Sequence, residues 1–138
     1  MKKVLLFLVV FAAIVAIGAL AFGKGKAEVY KGYISDVACA TTPNGMAADG
    51  TNMKTMAENH TVACMKAPGC AASGYGLEIN EGTAAAKNYA FYKFDKKGSD
   101  MAAKLIKKTK KTSGVFVEVK GMKEAGMIKV SSIKEIKM

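Results

Sequence analysis

The sequence contains no arginine, so lysine carries all of its basic charge. Arginine is the preferred side chain for phosphate and base-edge contacts, and its absence argues against a nucleic-acid partner. The formal net charge is +10, but four lysines precede residue 28, which leaves 17 lysines against 11 acidic residues in the rest of the chain. This balance predicts a solvated lysine surface, with weak contact to an anionic envelope surface as the alternative.

Thiol and imidazole side chains are also few, with three cysteines and one histidine. The sequence has no Cys-x-x-Cys pair, which argues against a thioredoxin-type redox role. It has no Cys-x-x-Cys-His motif either, which excludes the usual covalent haem attachment. Two common uses of a few cysteines in a small chain are therefore unsupported.

The long apolar run Val4–Phe22 follows Lys2 and Lys3 and precedes small-x-small sites ending at Ala21 and Ala27. This is the pattern of a secretory signal. As a helix the run would be about 28 Å long, close to the thickness of a bilayer core, so an uncleaved membrane anchor is the alternative. We predict residues 1–27 to be a signal peptide or anchor, with cleavage slightly favoured. The domain 28–138 would then be exported: periplasmic, cell-surface or secreted.

Apolar periodicity predicts a mainly β domain with one or two helices. Strands are expected at Glu28–Ile34, Tyr75–Asn80 and Asn88–Phe94, a helix from Ser99 to about Lys111, then strands through Val115–Val119 and Ile128–Ile136. The order β-β-β-α-β-β is that of a five-stranded OB-like barrel. A half-open meander is the alternative. An insertion at about 36–74 would separate the first two strands.

All three cysteines and the only histidine of the sequence fall in that insertion: Cys39, His60, Cys64 and Cys70. Helical spacing from Met53 to Cys64, after an Asn52 cap, predicts a helix that ends before Pro68 and places His60 and Cys64 on one face. Three thiolates and one imidazole would complete a tetrahedral structural zinc site, and nearby methionines make copper(I) the alternative metal. A disulfide with one free thiol is the competing interpretation, because exported domains commonly use cysteines in this way.

These features predict a non-enzymatic binding or structural module. One alternative is a thiol-based enzyme that pairs Cys64 with His60 for redox or nucleophilic chemistry. Another is an envelope-surface or glycan binder. It would use the lysine face of the helix, or aromatic side chains of the second and third strands: Tyr75, Tyr89, Phe91, Tyr92 and Phe94.

The segment Gly32-Tyr33-Ile34-Ser35-Asp36-x-x-Cys39, followed by His60-x3-Cys64 and Cys70, resembles a group of small exported bacterial proteins. That group shares a Gly-Tyr-[Ile/Leu]-Ser-Asp-x-x-Cys opening, a loop with cysteine and histidine, and a β-rich C-terminal half. The resemblance covers roughly residues 29–136. It implies export, a β-barrel-like body and a shared Cys/His site, but no activity. The Cys64-x5-Cys70 spacing is longer than in many members of the group.

Overall fold

The computed structural model describes residues 25–138, so the predicted signal or anchor run Val4–Phe22 lies outside the described residues. Ten elements follow one another: β1 Glu28–Asp36, α1 Val37–Ala40, a 3₁₀ turn Ala57–Asn59, α2 Val62–Lys66, α3 Pro68–Ser73, β2 Tyr75–Asn80, β3 Tyr89–Phe94, α4 Lys96–Lys108, β4 Phe116–Glu124 and β5 Met127–Glu135. Within this part of the chain, no helix is long and apolar enough to cross a membrane.

The five strands form one mixed sheet in which every strand has two neighbours, in the order β1-β2-β3-β5-β4 and back to β1. All neighbours are antiparallel except β3 and β5, which are parallel. The predicted mainly β fold and the five predicted strands are confirmed. One or two helices were expected, but residues 25–138 form four and a 3₁₀ turn, because the insertion forms three short helices.

The inner face of the strands packs around an apolar core that includes Ile34, Leu77 and Val117. Helix α4 covers this core with Ala102 and Ile106. Asp95 caps the helix, since its carboxylate accepts the backbone N–H of Gly98 at 3.0 Å. The helix was predicted to begin at a Ser99 cap, but the Ser99 hydroxyl instead accepts the backbone N–H of Tyr75 at 2.8 Å and so links α4 to β2.

The segment 37–74 contacts β1 through α1, α3 and the 3₁₀ turn, and contacts α4 through α2. Alternation along β1 sends Ile34 inward and its neighbour Tyr33 outward. Tyr33 joins a second apolar cluster with Cys39, Met53 and Tyr89. Because both faces are covered, β1 is buried continuously from Gly32 to Asp36. The two clusters together fix the end of β1, where the candidate site begins.

The prediction of one helix that begins after an Asn52 cap and includes both His60 and Cys64 is wrong. His60 has an extended backbone (φ −61°, ψ 127°) between the 3₁₀ turn and α2, so it shares no helix with Cys64. The periodic apolar residues serve two different cores: Met53 belongs to the outer cluster and Val62 to the inner one. Pro68 begins α3 at its first position, where proline is well tolerated, instead of marking the end of a helix.

The aromatic side chains of the second and third strands, which the alternative of a glycan binder would use, are largely packed in the fold. Tyr75, Tyr89 and Phe94 are buried. Phe91 and Tyr92 are partly exposed, and Tyr92 lies under the Lys123 ammonium at 4.2 Å from the ring centroid. The lysines of α4 remain on its exposed side, as at Lys97, Lys104 and Lys108.

Candidate metal centre

Each of the three cysteines is the third residue of a short helix: Cys39 in α1, Cys64 in α2 and Cys70 in α3. Side chains on a helix tilt towards its N-terminus, so each sulfur lies near the beginning of its helix. Asp36 caps α1 and Thr61 caps α2, and both accept the backbone N–H of the cysteine three residues later. The three helix starts therefore present three sulfurs to one point.

The sulfur atoms form a close cluster. Cys39 Sγ lies 3.7 Å from Cys64 Sγ and 3.8 Å from Cys70 Sγ. The three sulfurs and a carboxylate oxygen of Asp36 all lie within 4.8 Å of one another. A disulfide has a bond of about 2.05 Å, and all three cysteines, which belong to the described part of the chain, are free thiols. Cys39 is 2% exposed, whereas Cys64 and Cys70 are partly exposed, so the cluster has a buried side and a solvent side.

His60 is held between two carboxylates. Its ring is 1% exposed, with Nε2 2.9 Å from Asp36 Oδ2 and Nδ1 2.9 Å from Asp49 Oδ2. Each nitrogen faces an acceptor, so both must carry a proton. Burial alone would lower the pKa of His60, but the two carboxylates outweigh it and the pKa is raised. The ring is therefore an imidazolium whose hydrogen bonds link the insertion to the end of β1.

Both carboxylates are stabilised as anions. Burial opposes ionisation of Asp36, yet the hydrogen bonds from His60 and from the Cys39 backbone lower its pKa. Asp49 accepts the backbone N–H and the hydroxyl of Thr61 at 2.8 and 2.9 Å. These contacts and those from Thr51 outweigh burial and lower the pKa of Asp49 as well. The chain Asp36–His60–Asp49 is thus an ionic network with one net negative charge.

Of the four predicted ligands, the structure brings the three sulfurs together and places His60 against Asp36 and Asp49. His60, Asp49 and Cys64 also form a group with ligand atoms within 4.8 Å of one another. Asp36 and Asp49 were missed as site residues. A signal for Asp36 is present in the sequence: Asp36-Val37-Ala38-Cys39 and Thr61-Val62-Ala63-Cys64 are the same cap-Val-Ala-Cys unit.

The sulfur cluster is suited to a cation. Burial, together with the Asp36 carboxylate, raises the pKa of the Cys39 thiol and raises that of Cys70 to about 11. A backbone N–H at Ala48 acts in the opposite direction on Cys39. Thiols beside an anion thus stay protonated, whereas a bound metal ion reverses this balance and deprotonates its thiol ligands. Two thiolates at about 2.3 Å from one tetrahedral zinc ion lie about 3.8 Å apart, which matches the observed separations.

A second buried carboxyl lies behind this network. Glu78 on β2 is 2% exposed, and its Oε1 accepts the Ser35 hydroxyl at 3.1 Å. Burial raises the pKa of Glu78 from 4.5 to about 7, although the Ser35 hydrogen bond and the charge of His60 both act to lower it. Glu78 is therefore mostly neutral below pH 7 in the folded protein.

We expect His60→Gln to destabilise the protein by about 3–5 kcal/mol, the cost of removing one partner from a buried ionic network. Without the His60 imidazolium, the Asp36 carboxylate would lose the positive charge that offsets the energetic cost of its burial. The measurement is urea denaturation under reducing conditions, with the exposed Lys104→Gln as the control for loss of one positive charge. A loss below about 1 kcal/mol, the range of an exposed ion pair, would show that the network contributes little to stability.

The raised pKa of Glu78 makes stability depend on pH. Unfolded Glu78 ionises above about pH 4.5 while the folded residue stays neutral to about pH 7, so this group lowers stability as pH rises through that window. Glu78→Gln removes the effect and should stabilise the protein by about 3 kcal/mol at pH 8, and far less at pH 4.5. The matched control is the partly exposed Glu118→Gln on β4. An equal effect of Glu78→Gln at both pH values would contradict this account.

No protein-family model matches this chain, and searches of curated proteins and of solved structures found no significant match. The functional information therefore comes from the residues of the site: three convergent sulfurs, a buried carboxylate beside them and an imidazolium that holds this carboxylate in place.

Proposed function

We propose that this chain is an exported, non-enzymatic module that binds one zinc ion. Cys39, Cys64 and Cys70 are the thiolate ligands, and Asp36 supplies the fourth ligand from the buried side. The observation that carries the proposal is the separation of the sulfurs, 3.7 and 3.8 Å from Cys39, without a covalent bond between them. Three protein sulfurs and one carboxylate oxygen would make a closed, four-coordinate structural site.

Charge favours a divalent ion over copper(I). Three thiolates with Asp36 and Asp49 carry five negative charges, and the His60 imidazolium offsets one. Each uncompensated negative charge is costly near a buried group such as Cys39. A zinc ion carries two positive charges and copper(I) carries one, so zinc neutralises one more negative charge. Thiolates accept both metals, so copper(I) is an outcome that the experiment below must distinguish.

His60 has a positioning role in this proposal. Both ring nitrogens already donate to carboxylates, so neither has a free lone pair for a metal ion or for deprotonating Cys64. A histidine that orients a ligand from outside the coordination shell is a common feature of metal sites, and its loss weakens metal binding. The same hydrogen bonds favour a binding module over a Cys64–His60 nucleophile.

The fold that we propose for this module is an OB-like barrel. The closed ring of strands, the helix between β3 and β4, and the long segment between β1 and β2 all support it. In OB folds the loop between the first two strands contributes to the ligand site. Here that loop would hold the metal instead.

Export is the other part of the proposal. It is supported by the apolar run Val4–Phe22 after Lys2 and Lys3, and by the resemblance to small exported bacterial proteins. Oxidising compartments favour disulfides. A bound zinc ion would keep the three thiols from oxidation there, which gives a physical reason for an odd number of cysteines. The lysines of α4 would face the surrounding envelope.

The test is metal analysis of the exported protein combined with thiol counting. We expect one zinc per chain and three thiols that become reactive on chelation. Asp36→Asn should weaken zinc binding by at least the roughly 10- to 100-fold that is lost with a partner outside the coordination shell, whereas the control Asp100→Asn should bind normally. Asp100 is exposed and paired with Lys96 on α4, and it belongs to neither group of candidate metal ligands.

Two results would contradict the proposal. One blocked pair of thiols without stoichiometric metal would mean that the cysteines form a disulfide. Copper(I) bound in preference to zinc from an equimolar mixture under reducing conditions, with no effect of Asp36→Asn, would replace zinc with a three-sulfur copper site.

A further inference from the structure

The three helices that carry the cysteines differ in how firmly buried residues attach them to the two apolar clusters. Helix α1 follows β1 directly, and Cys39 is buried in the outer cluster. Helix α2 inserts Val62 and Met65 into the main core on either side of Cys64. Helix α3, which carries Cys70, has no buried residue. Of the three sulfurs, Cys70 is therefore the one whose helix the two cores secure least.

The attachments of α3 are concentrated at its C-terminal end. The Ser73 hydroxyl accepts the backbone N–H of Ala38 at 3.0 Å, and the Gly74 carbonyl accepts that of Val37 at 2.9 Å. At the other end Pro68 and Gly69 are exposed, and the single residue Ala67 joins α3 to α2. The N-terminal end, which presents Cys70, adds no fully buried residue to either core. Its one contact with the outer cluster is Cys70 itself, which is only partly buried, so this end can move without exposing the buried residues of either core.

We propose that Cys70 is the exchangeable ligand through which a thiolate-bearing partner delivers or removes the metal, a proposal that rests on the zinc site proposed above. The partner thiolate forms a bond to zinc as the bond from Cys70 breaks. Cys70 takes up a proton from solvent, and the partner thiol has released one. Zinc remains divalent throughout, so the exchange needs no oxidant or reductant. Cys39 and Cys64 hold the ion during the step.

This order of ligand release is measurable by alkylation. Reduced full-length protein, with and without one equivalent of zinc, is treated with iodoacetamide, and each cysteine is followed by peptide mass spectrometry. We expect zinc to slow all three reactions, and Cys70 to react at least about tenfold faster than Cys39 in the zinc form, as expected when one ligand opens locally. Rates in denaturant give the intrinsic reactivity of each thiol.

The outcomes separate the two proposals. Protection by zinc with Cys39 or Cys64 modified first, or with all three modified together, overturns exchange at Cys70 and leaves the zinc site intact. If zinc protects none of the thiols, the zinc site itself fails and the exchange proposal fails with it.

Two further measurements test the mechanism of exchange. Reduced glutathione should accelerate zinc release to the chelator 4-(2-pyridylazo)resorcinol in proportion to its concentration, whereas S-methylglutathione, which has no thiol, should not. Acceleration by neither compound would overturn attack by an incoming thiolate.

The second measurement changes helix α3 without changing a ligand. A Cβ at Gly69 would meet no atom within 4 Å, so Gly69→Ala should stabilise α3 and slow alkylation of Cys70 by about three- to fivefold, the equivalent of the helix propensity difference. Lys104→Ala, an exposed substitution on α4 away from the ligand-bearing helices, is the control. An unchanged rate for Gly69→Ala would contradict release of Cys70 by movement of α3.

Discussion

The pairing of His60 with Asp36 and Asp49 is the interaction on which the rest of the arrangement depends. It joins three separate segments: the end of β1, the turn that contains Asp49 and the extended stretch at His60 that precedes the Thr61 cap of α2. The backbone caps of α1 and α2 use the same residues or their neighbours, since Asp36 caps α1 and Thr61 bonds to Asp49 while it caps α2. The network therefore sets where two of the three helices begin, and with them the positions of Cys39 and Cys64.

This network lies between two apolar clusters that share the same strands. Ile34 and Leu77 face the inner core, whereas Tyr33 faces the outer one. Polar residues occupy the boundary, including Ser35, Asp36 and Glu78, each at most 2% exposed. Buried polar groups are tolerated only when they are paired, and here the pairing fixes the insertion against the sheet. The long insertion, which contains no leucine, isoleucine, phenylalanine or tyrosine, thereby acquires a defined position.

The sequence predicts the strands and α4 well because their signals are local. Alternation through Val115, Val117 and Val119 and the amphipathic pattern of α4 depend on neighbouring residues only. The structure of the insertion was harder to predict. Its apolar residues recur at helical spacing, but they pack into two different cores and do not form one face of a helix. The convergence of the cysteines was predicted as a possibility, but the roles of Asp36 and Asp49 depend on contacts 11 to 24 residues apart. The repeated cap-Val-Ala-Cys unit is the local signal that identifies Asp36.

The most direct test of the central claim is X-ray absorption spectroscopy at the zinc edge on the metal-loaded protein. The account predicts three sulfur neighbours at about 2.3 Å and one oxygen neighbour at about 2.0 Å, without imidazole scattering. A shell containing a histidine nitrogen would mean that His60 leaves its two carboxylates to bind the metal, which would contradict the role assigned to the ionic network. A shell with fewer than three sulfurs would contradict the three-thiolate site itself.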